Sequence, residues 1–527
     1  MPILRYLLIS LGILVTVNGC STATTAVVNN STKAAATIDK PGTFRAKQNR
    51  LFRAPRITPL YQSSHEIESI AGVEPWLVWT EDDVDHLLFA KIDEQTQSLD
   101  VKTLSPLEHD ADLLCIGQNS ETVLDVFVHD GDAYFHHYWF QPETSQLQWV
   151  RKLATNPDVE QCVVTPDALL YLDPYLGPLS IKRNAETDPI VYSTTAEQAA
   201  LLSASDALAV NFQSDSSKLQ RRLPTVVPVL ETQPVADSGD AADDPVVLVG
   251  ENKTWIVGTN KQRGLAVYNL DGQQIHFSPR GRLNNVDAVK LSDNEFLLAA
   301  TNRTDKTIDL FRANLATNTF RYTANIALNM DDPYGLCMAF YEGGVSVFPG
   351  DSEGQVQHWQ LNSDLAGGSL QQTFKFNSQT EGCVMDTQTN QLYIGEEALG
   401  IWQFDLDSGK RELIKSVDEG NLVADVEGMD IYYGADRKVL VVSSQGDDSY
   451  VLYDLNNGKL LSKFQIVGDV SQGIDGASET DGLAVSASAI PGFPNGVLVV
   501  QDGRNRAPTE AQNFKVIDWR SIQALIN

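Results

Sequence analysis

Short acidic loops crowd the second half of this 527-residue chain. The stretch Gly239 to Pro245, GDAADDP, holds Asp240, Asp243 and Asp244 with no lysine or arginine to neutralise them. Further on come Glu381, the pair Glu396-Glu397, and Asp425 with Glu427. GIDGASETDG adds Asp475, Glu479 and Asp481, QDGRN adds Asp502 and Asn505, and NNVD adds Asn284, Asn285 and Asp287. Oxygen-only clusters suit Ca²⁺, which takes roughly six to eight oxygen ligands and tolerates irregular geometry. Any one of these loops reads equally well as solvated acidic surface. DLDSG (405–409) does read that way: it lacks an EF-hand's final glutamate, having Ser416 there, and is a hairpin turn. Only His276 and His358 fall in this half, which argues against a zinc or iron centre built on imidazole. The chain has no GxxxxGK[ST] or HExxH motif, and no CxxxxxR or RHG of the covalent phosphatases.

Acidic residues outnumber basic ones 69 to 39, for a net charge of −30. Such a surface repels nucleic acid, and any free polyanion unless a cation intervenes. The hydrophobic share is 42 % and the charged share 20 %, as in an ordinary globular protein.

The elements that must carry these loops follow from two repeats. Cys337 lies 222 residues after Cys115, and Cys383 lies 221 after Cys162. Glu160 and Glu381 each stand two residues before the second cysteine. The pairs Phe89/Phe311, Tyr138/Trp359 and Ile181/Phe404 keep nearly the same offset, so the chain is an internal duplication with an incomplete first copy. Within the second copy, alternating strands such as LAVYNLDG, IDLFRANL and IWQFDLDS recur. Their anchors Tyr268, Phe311, Trp359, Phe404, Tyr453 and Ile517 are 43, 48, 45, 49 and 64 residues apart. Period-two alternation, turns such as Asp-Gly and a repeat near 40–50 residues predict β-propeller blades. The fold expected is all-β: a six-bladed propeller preceded by an incomplete propeller-like domain of three or four blades.

The second copy, from about Pro234 to Trp519, resembles the β-propeller phytases along its length. The matching stretches, in order, include DAADDPVV, VGTNKQRGLAVYNLDG, LNNVDAV, ATNR, DPYGLC, SQTEGCVMD, YIGEEALGIW, DVEGMDIYY, SETDGLAV and VVQDGRN. The resemblance implies a calcium-dependent phosphomonoester hydrolase of the 3-phytase type, acting on inositol hexakisphosphate as its calcium complex. It implies catalytic roles for Lys261, Arg303, Tyr334, Glu381 and Glu353. It implies calcium ligation by Asp243, Asp244, Asn285, Val286, Glu381, Glu396, Glu397, Asp425, Glu427, Asp475, Asp481 and Asn505. The DDP segment is then a structural calcium site that ties the first strand to the last blade. The sequence departs from the family at Ser352, where a lysine is usual, and at Val247-Leu248, where Ile-Trp is usual. The competing reading is a calcium-stabilised binding propeller on the cell surface, without catalysis.

The first copy has lost the chemistry. At the common offset Arg303 falls on Glu81, Tyr334 on Asp112 and Asp425 on Ala204, while Glu160 and Asp206 persist opposite Glu381 and Glu427. Residues 1–20, a basic start, a short apolar run and Val17-Asn18-Gly19-Cys20, read as a lipoprotein-type signal with Cys20 lipidated. Residues 21–50 read as a tether, 51–225 as the degenerate copy and 226–527 as the complete propeller. The protein is therefore expected as an exported monomer, periplasmic, outer-membrane or extracellular, touching membrane only through its lipid. Export permits disulfides, so Cys115–Cys162 and Cys337–Cys383 are candidate bridges, although buried free cysteines pack equally well.

Overall fold

The computed structural model describes residues 44–54, 58–82, 84, 86–92, 99–203, 209–210, 223–469 and 472–526. Cys20, Ala204 and Asp206 lie outside the described residues, as does most of the expected tether. All described residues belong to one compact unit, Pro41–Asn527.

The second copy forms six sheets, each running outward from one first strand. These first strands are Ala242–Val249, Leu283–Lys290, Pro333–Tyr341, Thr380–Asp386, Val426–Tyr433 and Leu483–Ser486, in blades one to six. Each packs on the first strand of the next blade, and the sixth meets the first. Strict alternation explains how a blade buries both faces. In blade two, Phe296, Leu298, Ala300 and Phe311 pack toward blade one. The interleaved Leu297, Ala299, Ile308 and Leu310 pack toward blade three. The same arrangement continues between blades three and four, four and five, and five and six. Ile256 and Tyr268 of blade one then join Val499 and Phe514 of blade six, so the cores form a closed circle.

Chain segments before blade one fasten that circle. Leu230–Glu231 pairs antiparallel with Asn513–Asp518 and supplies the outer strand of blade six. Thr225–Val226 runs parallel to Lys459–Ile466 on blade five. Open sheet edges are thereby covered.

The first copy forms four sheets among the described residues. Three are four-stranded antiparallel blades beginning at Ile67–Val73, Leu113–Gln118 and Gln161–Val164. The fourth has the order Ala209–Val210, Phe44–Lys47, Arg50–Arg53, Tyr61–Gln62. Residues 44–50, read as tether from the sequence, thus belong to this sheet, because Phe44 is fully buried against Leu51, Ile70 and Trp79.

Disulfides join Cys115 to Cys162 and Cys337 to Cys383, with Cα atoms 6.0 and 5.5 Å apart. Each links the first strands of neighbouring blades, at the same place in the two copies. No helix among the described residues is long and apolar enough to cross a membrane.

Candidate active site

The site is built from one irregularity repeated around the ring. In blades one to five the first strand carries an extra residue near its start, so that two residues face one on the second strand. The doubled positions are Asp243-Asp244, Asn284-Asn285, Tyr334-Gly335, Glu381-Gly382 and Glu427-Gly428. A bulge re-aims a side chain that regular pleating would send into a core. Here it collects acids, amides and a phenol at one end of the axis.

The glycines make the convergence possible. A Cβ on Gly335 would collide with the backbone of Glu381, and one on Gly382 with the carbonyl oxygen of Glu427. On Gly428 it would stand 2.7 Å from the carbonyl oxygen of Asp481, and on Gly482 it would collide with Asp244. Each glycine lets the next blade's acid approach, and the last contact returns to blade one.

A cleft of about 560 Å³ opens over this end, lined among others by Lys261, Tyr334, Glu381, Glu397, Asp425, Glu427, Asp481 and Asn505. Glu381, Glu397 and Glu427 are buried, with one oxygen of each lying within 4.8 Å of the others. Glu397 Oε1 and Glu427 Oε2 are buried and accept no hydrogen bond. Burial, and then the carboxylates around them, raise the pKa of Glu381 and Glu427 well above the usual range. Glu397 and Asp481 are each pushed up to about 7, again by burial first. Buried, mutually repelling carboxylates with unused acceptors fit a hard divalent cation, which would satisfy both the charge and the lone pairs.

Lys261 leaves the end of strand Thr254–Asn260 and is 8 % exposed. Its Nζ stands 2.7 Å from Asp240, 3.1 Å from Asp243 and 2.9 Å from Asp481. Burial alone would lower its pKa, but Asp243 and Asp481 raise it well above the ordinary lysine value. Neither oxygen of Asp243 accepts a hydrogen bond of good geometry, so its tie to Lys261 is chiefly coulombic.

Arg303 stands one step back. Its Nε and Nη2 form a two-pronged bond to Asp332, at 2.8 and 2.6 Å, and Nη1 donates to Asn284 Oδ1 at 3.1 Å. The guanidinium carbon lies 4.8 Å from the centre of the Tyr334 ring. Tyr334 is held neutral, its pKa raised by Glu381 beside it and then by burial.

The remaining sequence-predicted residues divide. Asp244 accepts from the Val286 amide at 3.0 Å, which brings Asp244, Asn285 and Val286 together between blades one and two. Asp475 lies apart from the three-glutamate cluster, buried against Lys515 with Asp502 and Asn505. Glu396 is saturated, accepting from Asn377 N, Ser378 N, Ser378 Oγ and Trp402 Nε1. It serves the loop, and its neighbour Glu397 faces the cleft. Glu353 is exposed in the turn after Gly344–Asp351 and does not line the cleft. Ser352 is half-buried in that turn, its N–H donating to Asp332 O at 3.3 Å. Sequence reasoning gave no role to Arg504, Arg506 and Lys515, nor to Asp188 of the first copy, which also lines the cleft. The QDGRN stretch holds Arg504 and is followed directly by Arg506, but nothing in it signalled the partner of Arg506, Asp188, 318 residues earlier.

The phytase family's sequence profile matches residues 190–527. The 3-phytase of Bacillus subtilis (strain 168) is 34 % identical over 318 residues, covering 55 % of this chain and 83 % of that protein. The chain belongs to the phytase family. Among solved structures, Saccharomyces cerevisiae Sqt1 aligns with 78 % of this chain and 97 % of its own at 12 % identity, with a TM-score of 0.33. The phytase match leaves residues 1–189 outside it.

Proposed function

We propose that this phytase-family hydrolase removes phosphate from inositol hexakisphosphate, presented as its calcium complex, in a calcium-dependent reaction at the axial cleft. The observation that carries the reading is the cluster of Glu381, Glu397 and Glu427 with unused buried oxygens, beside Lys261. These three, with Asp425 and Asp481, are the residues that would hold calcium. When bound, calcium supplies charge neutralisation for phosphate and acidifies water.

The chain's own residues do the rest. Lys261 already faces three carboxylates and exchanges part of that company for phosphoryl oxygens, so its charge stays compensated throughout. Arg303, fixed by Asp332 and Asn284, adds positive charge from the Tyr334 side. Preorganised cations of this kind stabilise charge on a transferring phosphoryl group without reorganising. No side chain need become a covalent intermediate, in keeping with the missing CxxxxxR and RHG motifs.

Both disulfides suit an exported protein. Lipidation at Cys20, a monomeric state, contact with membrane only through that lipid, and a separate auxiliary domain before about residue 225 remain part of the proposal.

The test is phosphate release from calcium-phytate by the purified protein, with and without a chelator. Release that stops on chelation and returns with calcium supports the reading. Calcium binding without any phosphate release favours the binding propeller instead.

A further inference from the structure

The reaction above uses Asn284 only to steady Arg303, yet its amide also touches the carboxylate cluster. Asn284 is the first doubled residue of blade two and is fully buried. Its Oδ1 accepts from Arg303 Nη1 at 3.1 Å, and its Nδ2 donates to Glu381 Oε1 at 3.2 Å. Glu381 lies 97 residues further on, in blade four, so the amide reaches past blade three to meet it.

The neighbours dictate which way the amide points. A guanidinium has only donors to offer, and an ionised carboxylate only acceptors. Oδ1 must therefore face Arg303 and Nδ2 must face Glu381, since a half-turn of the amide would break both contacts at once. Leucine, of similar size, would leave a buried donor and a buried acceptor without partners. Aspartate would serve Arg303 but set one more carboxylate against Glu381. An amide of this length serves both.

Each end needs that help. Asp332 holds Arg303 by Nε and Nη2 only, at 2.8 and 2.6 Å. Glu381 has Asp243, Glu427 and Asp481 for neighbours, with Lys261 as the opposing charge. A neutral N–H can fix one oxygen of such a group without cancelling the charge that a cation needs. Donors of this kind orient the carboxylates of metal sites.

We propose that Asn284 is a positioning residue that couples the two halves of the site: one amide aims Arg303 at the phosphate and Glu381 at the calcium, so that disturbing one end is felt at the other. This rests on the phosphohydrolase reading of the cleft, but its calcium arm is measured without any substrate.

The experiment uses the full-length protein as parent, Asn284→Ala, Arg303→Lys and the double variant. Calorimetry gives Kd for calcium alone, and phosphate release at saturating calcium gives kcat and KM for phytate. Asn284→Ala is expected to weaken calcium binding about tenfold, as the loss of a group that orients a metal-binding carboxylate does. Arg303→Lys keeps its charge, and Arg303 makes no bond to Glu381, Glu397 or Glu427. It is nonetheless expected to weaken calcium binding about two- to threefold in the parent, and not at all once Asn284 is alanine. In kcat/KM the double variant should fall short of the product of the single losses by about fivefold. An unchanged calcium Kd in Asn284→Ala, or single losses that simply multiply, overturns the proposal and leaves Asn284 a packing residue whose loss lowers only the melting temperature. If Asn284→Ala does not fold, Arg303→Lys decides alone, and an unchanged calcium Kd there overturns the coupling. If the parent releases no phosphate, the functional reading fails, and the calcium titrations still decide whether Asn284 joins Arg303 to Glu381.

Discussion

The Nζ of Lys261, at the exit of the second strand of blade one, lies 2.9 Å from Asp481, at the entrance of blade six. One buried ammonium therefore joins the first and last blades and stands at the wall where phosphate is proposed to bind. Lys261→Ala should lower kcat by a factor on the order of 10²–10³, the range for removing one preorganised charge-stabilising group. Phosphate release under calcium saturation measures it. A loss under tenfold would place the reacting phosphate elsewhere.

Arg303 tests geometry apart from charge. Arg303→Lys keeps the charge but loses the two-pronged bond to Asp332 and the stack on Tyr334. Its kcat/KM should fall about 10- to 100-fold, with Arg303→Gln lower still, since lysine does not replace a forked, stacked arginine.

Removing calcium should make stability depend on pH in a stated direction. Glu397 and Asp481 move from ordinary values of 4.5 and 3.8 to about 7 in the folded protein. Between roughly pH 4 and 7 the folded protein then holds protons that the unfolded chain has released, so stability falls as pH rises through that window. Chelated protein should show a melting temperature that declines from pH 5 to 7, while calcium-saturated protein does not. Glu397→Gln should shrink the decline. A flat profile in chelator would mean that these carboxylates are already compensated.

The disulfide Cys337–Cys383 closes a loop of 46 residues between blades three and four. Chain-entropy arguments assign such a cross-link about 4 kcal/mol. The double variant Cys337→Ser with Cys383→Ser should lower the denaturant midpoint accordingly. Peptide mapping of unreduced, denatured protein should find none of Cys115, Cys162, Cys337 or Cys383 alkylated.

Gly428→Ala probes the close approach of blades five and six. The added methyl meets the carbonyl oxygen of Asp481 at 2.7 Å and also the amide nitrogen of Leu483. Overpacking of this kind costs about 1–3 kcal/mol, and the shift should weaken calcium binding through Asp481. Calorimetric titration with calcium checks the second part. An unchanged affinity would separate the glycine ring from the site.

What the sequence made legible was whatever repeats. The anchors Tyr268, Phe311 and Phe404 marked strands because alternation is a local property, and all three are buried in inter-blade cores. Lys261, Tyr334 and Glu427 were found because each sits in a short stretch similar to a known family. Glu396 and Glu397 could not be told apart in that way. Adjacent residues point to opposite sides, and Glu397 stands just past the end of strand Gln391–Glu396, where strand periodicity no longer tells which side is the cleft. Asp188 was invisible for a different reason: its role depends on how two copies pack, and its own neighbourhood, RNAETDP, carries no chemical pattern.

The circle of inter-blade cores in the second copy has no free end, whereas among the described residues the sheets of the first copy do not close into a ring. A closed ring cannot lose one blade without breaking two interfaces at once, so its amides should open together and late in hydrogen exchange. The first copy can peel from its terminal sheet inward, one interface at a time. Heating should accordingly melt the first copy in a separate, earlier step, and that step should free Arg504 and Arg506 from Asp188 while the carboxylate cluster is still intact.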